Sequence, residues 1–108
     1  MNVLKVLYSA SEIDNDLYYV SGFLAPDPFL FVELNGRKII FLSDLEYERG
    51  KREAKVDEVV RITPLIETLK KTALTVSPVD ILLLWLQHKG IKKEGVRVEI
   101  PPNFSASL

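Results

Sequence analysis

Apolar residues in the first half of the chain cluster in short runs. The runs Val3–Tyr8 and Leu17–Phe23 are rich in β-branched and aromatic residues, which predicts two strands, with Gly22 at a bulge or at the strand end. The polar stretch Ser9–Asn15 between them is typical of a turn. The next stretch, Ala25–Pro28, contains two prolines, which remove backbone donors and exclude a helix interior.

Two further apolar runs, Phe29–Leu34 and Lys38–Leu42, predict a β-hairpin. They flank Asn35-Gly36, the residue pair preferred in a type I′ turn, because both of its central residues need positive φ. Both runs are continuously apolar rather than alternating, which predicts strands that are covered on both faces.

The segment Asp44–Glu58 carries ten charged residues in fifteen, which favours a surface helix with opposite charges four residues apart. Its basic cluster, which begins at Arg49, is typical of a solvated helix face. Leu45 and Ala54 are predicted to form a partial inner face. Gly50 weakens the helix by about 1 kcal/mol relative to alanine.

The second half alternates strands with helices. Asp57–Ile62 predicts a strand, and Thr63-Pro64 predicts a helix that runs to about Lys71, with Thr63 as its N-cap. Val96–Ile100 alternates apolar and charged residues and predicts a last strand, which Pro101-Pro102 ends.

A stronger helix start lies at Ser77, which is followed by proline and by Asp80 at the capping-box position. The helix continues through Ile81–Leu86 and ends before Gly90. Because its residues are apolar all round, we expect it to be heavily buried. The predicted order is β, β, β, β, α, β, α, α, β, which indicates a mixed sheet flanked by helices.

The 108 residues are 47% hydrophobic and 27% charged, which indicates one globular domain over residues 1–108. The net charge of −1 argues against a general nucleic-acid binder. The absence of cysteine excludes disulfides and thiolate metal sites. The longest apolar run has six residues, too few to cross a membrane, and no signal-peptide pattern begins the chain, so a cytoplasmic location is expected.

No candidate catalytic or metal-ligating residue has, in the sequence pattern around it, the further residues that its chemistry would need. His88 is the only histidine, and its place near a helix end favours a structural role. Ser21 lies outside a Gly-x-Ser-x-Gly motif, and no phosphate-binding glycine loop is present. Four acids at strand ends or beside polar residues are the candidates for a carboxylate-only Mg²⁺ or Mn²⁺ site, although solvated carboxylates are ordinary there; they are Asp16, Glu33, Asp44 and Glu99.

The aromatic residues offer a different kind of site. Five of them fall within the fourteen residues from Tyr18 to Phe31. This cluster predicts either the core of a sheet or a contact surface. The proline-rich stretch between Phe23 and Phe29 is rigid and holds an acid, so it predicts either a contact loop or a plain connection. The candidate substrate-wall or interface residues are Phe23, Pro26, Asp27, Pro28 and Phe29.

The motif Asp16–Phe23 resembles the Tyr-Leu-Thr-Gly-Phe segment in the N-terminal domain of the creatinase/prolidase/aminopeptidase P family. After the hairpin, that family often has Asp-x-Arg-Tyr; here Asp44-Leu45-Glu46-Tyr47 stands instead, with Glu46 in place of the arginine. Val96–Pro102 resembles the fifth strand of that domain and the loop to its next helix. The resemblance covers about Tyr8 to Leu108. The last residues, Asn103–Leu108, are typical of a loop that leads to a helix, with Ser105 as its N-cap.

The resemblance implies a ribonuclease-H-like α/β fold, with three antiparallel strands leading into parallel βα units and helices on both faces. It also implies that residues 1–108 are a fragment without the C-terminal pita-bread catalytic domain, which holds two divalent metal ions in relatives. No cofactor is then expected in this chain. Its partners are its own catalytic domain and a second copy, with no nucleic acid and no membrane.

The implied function is that of a non-catalytic accessory domain of an Xaa-Pro peptidase, similar to aminopeptidase P or prolidase. Such a domain supports dimerisation, walls the active site of a metallopeptidase hydrolase, and is inactive alone. The alternative is a free-standing module that binds a protein or a small ligand without enzyme activity. A third hypothesis, a nuclease function, rests only on analogy with the ribonuclease-H-like fold. Such an activity requires three or more converging carboxylates.

Overall fold

The fold is built on a mixed sheet of five strands in the order β4-β3-β2-β1-β5. A computed structural model describes residues 2–92 and 95–99. Strand β2 is antiparallel to both of its neighbours, whereas β3 pairs with β4, and β1 with β5, in parallel. The elements are β1 Asn2–Ser9, α1 Asn15–Ser21, β2 Phe29–Leu34, β3 Arg37–Leu42, α2 Asp44–Glu53, β4 Glu58–Arg61, α3 Thr63–Leu69, α4 Pro78–His88 and β5 Val96–Glu99.

The predicted hairpin is confirmed. Its turn residues Asn35 and Gly36 have φ values of 52° and 86°, as a type I′ turn requires. The Asn35 side chain also accepts a hydrogen bond of 2.9 Å from the backbone N–H of Val3. The turn is therefore tied to β1 as well as closing β2 onto β3.

The strand predicted over Leu17–Phe23 is wrong, because this segment forms helix α1. The Asp14 carboxylate caps the helix by accepting from the Leu17 N–H at 3.0 Å. Leu17 and Ser21, four residues apart, are both buried, and Gly22 ends the helix with φ of 63°. A helical spacing of buried residues, with a cap at each end, therefore outweighs the β-propensity of the aromatic residues.

The sheet is covered on both faces by helices, as predicted. On one face, β2 contributes Leu30 and Val32 to a core that includes Trp85 of α4. On the opposite face it contributes Phe29 and Phe31, which pack with residues of the α1 side. Because successive side chains of a strand point to opposite faces, the continuous apolar run of β2 serves both cores.

Helix α2 is confirmed, but its inner face differs from the prediction. Leu45 is 84% exposed, and Ala54 lies just beyond the helix and is partly buried. The buried residue of α2 is Gly50, which lies against the side chain of Leu42 on β3. The glycine therefore allows α2 to approach the sheet closely, which explains its place in the helix.

Gly50→Ala is expected to destabilise the protein by up to about 2 kcal/mol. Alanine ordinarily gains about 1 kcal/mol over glycine in a helix, but its Cβ would overlap Leu42 Cδ1, and overpacking a core costs about 1–3 kcal/mol. Leu42 is itself buried and has little freedom to move. Urea denaturation measures the change, with Lys51→Ala on the exposed side as the control; a gain in stability would contradict the close packing.

The helices of the second half begin as predicted, with one shift. The carbonyl of Ile62 accepts the first helical hydrogen bond of α3, so Ile62 rather than Thr63 is the N-cap. The capping box of α4 is confirmed, since Asp80 N–H donates to Ser77 Oγ at 3.2 Å and Ser77 N–H donates to the Asp80 carboxylate at 3.0 Å. Gly90 follows α4 with φ of 77°.

Helix α4 is less completely buried than expected. Its residues Ile81, Leu82, Trp85 and Leu86 are buried, but Leu83 is 40% exposed. The predicted strands β4 and β5 are present, whereas the predictions for Ile100 and for residues 101–108 lie outside the described residues. None of the helices in the described ranges is long and apolar enough to cross a membrane.

Candidate functional site

The predicted contact residues lie in one segment, residues 23–29, which joins α1 to β2, includes Phe29 as the first residue of β2, and is called loop 23–29 below. Both aromatic ends of loop 23–29 are buried, with Phe23 fully inaccessible. The rings of Phe23 and Phe29 meet edge to face, with centroids 5.7 Å apart. These two rings are therefore core residues that hold the ends of the loop together, not a stacking platform.

The middle of loop 23–29 is fixed at Ala25. The Ala25 N–H donates to the buried hydroxyl of Ser11 at 2.7 Å, and the Ala25 carbonyl accepts from the Glu12 N–H at 3.1 Å. Both partners come from the turn between β1 and α1. The residues around Ser11 do not indicate that it anchors the loop, because its hydrogen-bond partner Ala25 lies 14 residues away.

Arg49 of α2 holds the same loop from the other side. Its guanidinium lies 4.3 Å from the centre of the Phe23 ring and donates to the Leu24 carbonyl at 2.9 Å. It also forms ion pairs with Glu46 and Glu53. Burial acts to lower the pKa of Arg49, but these two carboxylates outweigh it and raise the pKa above its ordinary value.

The interpretation of this basic cluster as a solvated helix face fits the exposed Lys51 and Arg52, but Arg49 is only partly exposed and also contacts loop 23–29. The opposite charges three and four residues away were visible in the sequence, but they are equally typical of an exposed helix. What distinguishes Arg49 is its bond to Leu24, 25 residues earlier in the chain.

Arg49→Met is expected to destabilise the protein by about 1–3 kcal/mol. The change removes a charge-assisted hydrogen bond and the contact with Phe23, and it leaves Glu46 and Glu53 without the cation that pairs with both. Thermal denaturation measures the loss. Arg52→Met is the matched control, because Arg52 is exposed and has no ion pair with the described residues; equal effects of the two variants would exclude a special role for Arg49.

The tip of loop 23–29 is exposed, whereas its ends are anchored. Pro26, Asp27 and Pro28 all lie on the surface. Beside the tip is a cavity of about 290 Å³, lined by Asp27, Pro28 and Phe29 and by residues such as Tyr8 and Ser43. The cavity lies beyond the carboxyl ends of β1 and β3, where α/β sheets commonly bind ligands.

The candidate metal ligands are placed apart from one another. Glu33 pairs with Lys5 on β1, and Glu99 pairs with Arg97 on β5. Asp16 lies on α1. Within residues 2–92 and 95–99, no group of three or more possible ligands lies close enough to hold a metal ion.

Asp44, the remaining acid, has a structural partner. Its carboxylate accepts a hydrogen bond of 2.9 Å from Arg61, and this bond together with one from Thr63 holds the pKa of Asp44 below its ordinary value. Asp44 therefore joins the start of α2 to the end of β4. The buried Ser21 hydroxyl donates to the Leu17 carbonyl at 2.7 Å, which is a structural contact, and His88 is exposed at the end of α4.

Comparison with known proteins defines the class of this domain. A model of the creatinase/prolidase N-terminal domain matches residues 4–87. The chain therefore belongs to the creatinase/prolidase N-terminal domain family, as its resemblance predicted.

Among solved structures, the prolidase from Pyrococcus furiosus is similar to this chain, with 19% sequence identity and a TM-score of 0.46. The aligned region covers 92% of this chain and 30% of that one, so the chain spans about a third of the prolidase. A search of curated proteins gave no significant match.

Proposed function

We propose that this chain is a non-catalytic N-terminal accessory domain of a metal-dependent Xaa-Pro peptidase, similar to aminopeptidase P or prolidase. The family match over residues 4–87 supports this proposal and favours it over a free-standing binding module. In this proposal, a C-terminal pita-bread domain of the same protein supplies the two divalent metal ions and the catalytic residues. The ribonuclease-H-like description of the fold and a cytoplasmic homodimer belong to the same proposal.

The accessory role is geometric, and loop 23–29 carries it. Its exposed tip stands on ends that are fixed by the Phe23–Phe29 contact, by Ser11 and by Arg49. A loop held in this way loses little conformational entropy when its tip meets another surface. We propose that the tip walls the active site of the catalytic domain and restricts which peptides enter.

The domain assignment is tested by the intact mass of the natural protein in its source cells. A mass several times 12.3 kDa is expected, because a catalytic domain would follow this one. A natural product near 12.3 kDa would contradict the assignment.

Inactivity of the chain alone is tested with Xaa-Pro peptides in the presence of Mn²⁺. We expect no hydrolysis, because the proposal places the metal ligands in the other domain. Turnover that a chelator abolishes would overturn this expectation, whatever the intact mass of the natural protein.

Asp27→Ala is expected to change the free energy of unfolding by less than about 0.5 kcal/mol, because the side chain is exposed at the tip. In the full-length protein it is expected to change the KM for Xaa-Pro peptides, since the tip borders the substrate. The matched control is Glu67→Ala, an exposed acid on α3. A large drop in melting temperature would make Asp27 structural, and an unchanged KM would remove the tip from the substrate path.

A further inference from the structure

The hairpin turn between β2 and β3 is joined to the start of β1 by a reciprocal set of hydrogen bonds around Asn35. The Asn35 backbone N–H donates to the Val3 carbonyl at 3.0 Å, and the Val3 N–H donates to Asn35 Oδ1 at 2.9 Å. The Asn35 Nδ2 group also donates to Asn2 Oδ1 at 2.8 Å. Both polar atoms of the Asn35 carboxamide are therefore held by residues of β1, and this set of bonds between Asn35, Val3 and Asn2 is called the Asn35 clasp below.

The residue after Asn35 is a glycine whose backbone nitrogen is sterically open. Gly36 is exposed, and apart from its chain neighbours no part of the described chain lies within 4 Å of the position that a Cβ would occupy. Because glycine has no Cβ, no side chain hinders the approach of another group to its nitrogen. The Gly36 nitrogen is therefore the natural nucleophile for the carboxamide carbon of Asn35, its neighbour in the chain.

We propose that Asn35 is a deamidation site and that the Asn35 clasp controls the rate of the reaction. The Gly36 nitrogen attacks the carboxamide carbon of Asn35, and the new C–N bond forms as the bond to the departing ammonia breaks. The proton of the Gly36 N–H leaves with the ammonia, and a five-membered succinimide remains. Water then opens this ring and leaves either aspartate or isoaspartate at position 35. This inference is independent of the proposed peptidase role.

The folded chain holds the carboxamide away from the reacting geometry. Two atoms react when they approach to about 3–3.5 Å in the correct orientation. The bonds to Val3 and Asn2 hold the Asn35 carboxamide toward β1, so it has to leave both partners before it meets the Gly36 nitrogen. The reaction therefore requires local opening of the turn, and its rate reports how often the start of β1 separates from the hairpin.

The two products change the turn in different ways. Aspartate keeps an acceptor oxygen for the Val3 N–H but offers no donor to Asn2 Oδ1. Isoaspartate lengthens the backbone of a two-residue turn, whose length and positive φ values set the register of β2 with β3. The isoaspartate form, separated by chromatography, is therefore expected to melt at a lower temperature than the unmodified chain.

The direct test is peptide mapping by mass spectrometry after the 108-residue chain has been incubated in mildly alkaline buffer, either folded or in guanidinium chloride. Asn35 is expected to deamidate in the denaturant and at least about ten-fold more slowly in the folded chain, because two hydrogen bonds must break first. Asn15 is the internal control, since it is exposed but is followed by Asp16, and it is expected to stay unmodified. An unmodified Asn35 in the denaturant, or equal rates in the two conditions, would overturn the proposal.

A second test, Asn2→Ala, weakens the Asn35 clasp and leaves the sequence of the turn unchanged. The variant removes the partner of Asn35 Nδ2, so the folded chain is expected to deamidate several-fold faster, toward the rate in denaturant. Lys5→Ala is the matched control, because Lys5 is an exposed residue of β1 outside the clasp. A rate in Asn2→Ala no faster than in Lys5→Ala would overturn the control of the reaction by the clasp.

Discussion

Replacing Trp85 with alanine is expected to lower the free energy of unfolding by about 3–5 kcal/mol. Trp85 is only 5% exposed and lies at the centre of the core between α4 and the sheet. Its indole meets the Phe41 ring edge to face at 5.2 Å. The truncation therefore removes buried apolar surface and the aromatic contact that joins α4 to β3. It also leaves a cavity in the core, because the surrounding strands relax only partly.

Urea denaturation followed by circular dichroism measures this loss, since the fluorescence of the single tryptophan disappears with the variant. Gln87→Ala on the exposed side of α4 is the control and is expected to stay within about 0.5 kcal/mol of the parent. A cost below about 1 kcal/mol for Trp85→Ala would mean that α4 is peripheral to the fold.

Replacing Phe23 with alanine is expected to cost a similar 3–5 kcal/mol on the opposite face of the sheet. Phe23 is fully buried and contacts both Phe29 and the Arg49 guanidinium. Its loss removes one anchor of loop 23–29 and leaves the cationic side chain of Arg49 without its aromatic partner. The loop is therefore expected to loosen in addition to the global loss of stability.

Two measurements separate these effects. Chemical denaturation gives the global cost, and amide hydrogen exchange at Ala25, whose N–H is bonded to Ser11, reports local opening of the loop. Tyr19→Ala is the control, because Tyr19 is an aromatic residue of α1 that is 89% exposed. If Phe23→Ala destabilised the protein no more than Tyr19→Ala, Phe23 would not be the anchor that the structure indicates.

Features with a local cause were predicted correctly from the sequence. The Asn35-Gly36 turn and the capping box at Ser77 each depend on a few adjacent residues, so their conformations follow from backbone geometry and short-range hydrogen bonds. Helix α1 shows where this reasoning failed. The β-propensity of its aromatic residues measures packing in a sheet, and the neighbours that decide packing are distant in sequence.

The candidate site divides in the same way. The sequence identified loop 23–29 from its prolines and flanking aromatics, but not what holds it. Ser11 and Arg49 act through partners 14 and 25 residues away, and a local pattern does not specify such pairs.

By itself, the sequence determined the hairpin, the capping box of α4, the mixed α/β class, the family, and the position of the proline-rich loop between Phe23 and Phe29. Only the tertiary structure decided that Gly50 is a packing residue, that Arg49 is a loop anchor, and that Leu83 of the apolar helix α4 is 40% exposed. The physical reason is the range of the interactions. Turns and caps form within a few residues, whereas burial and anchoring depend on which segments the sheet brings together.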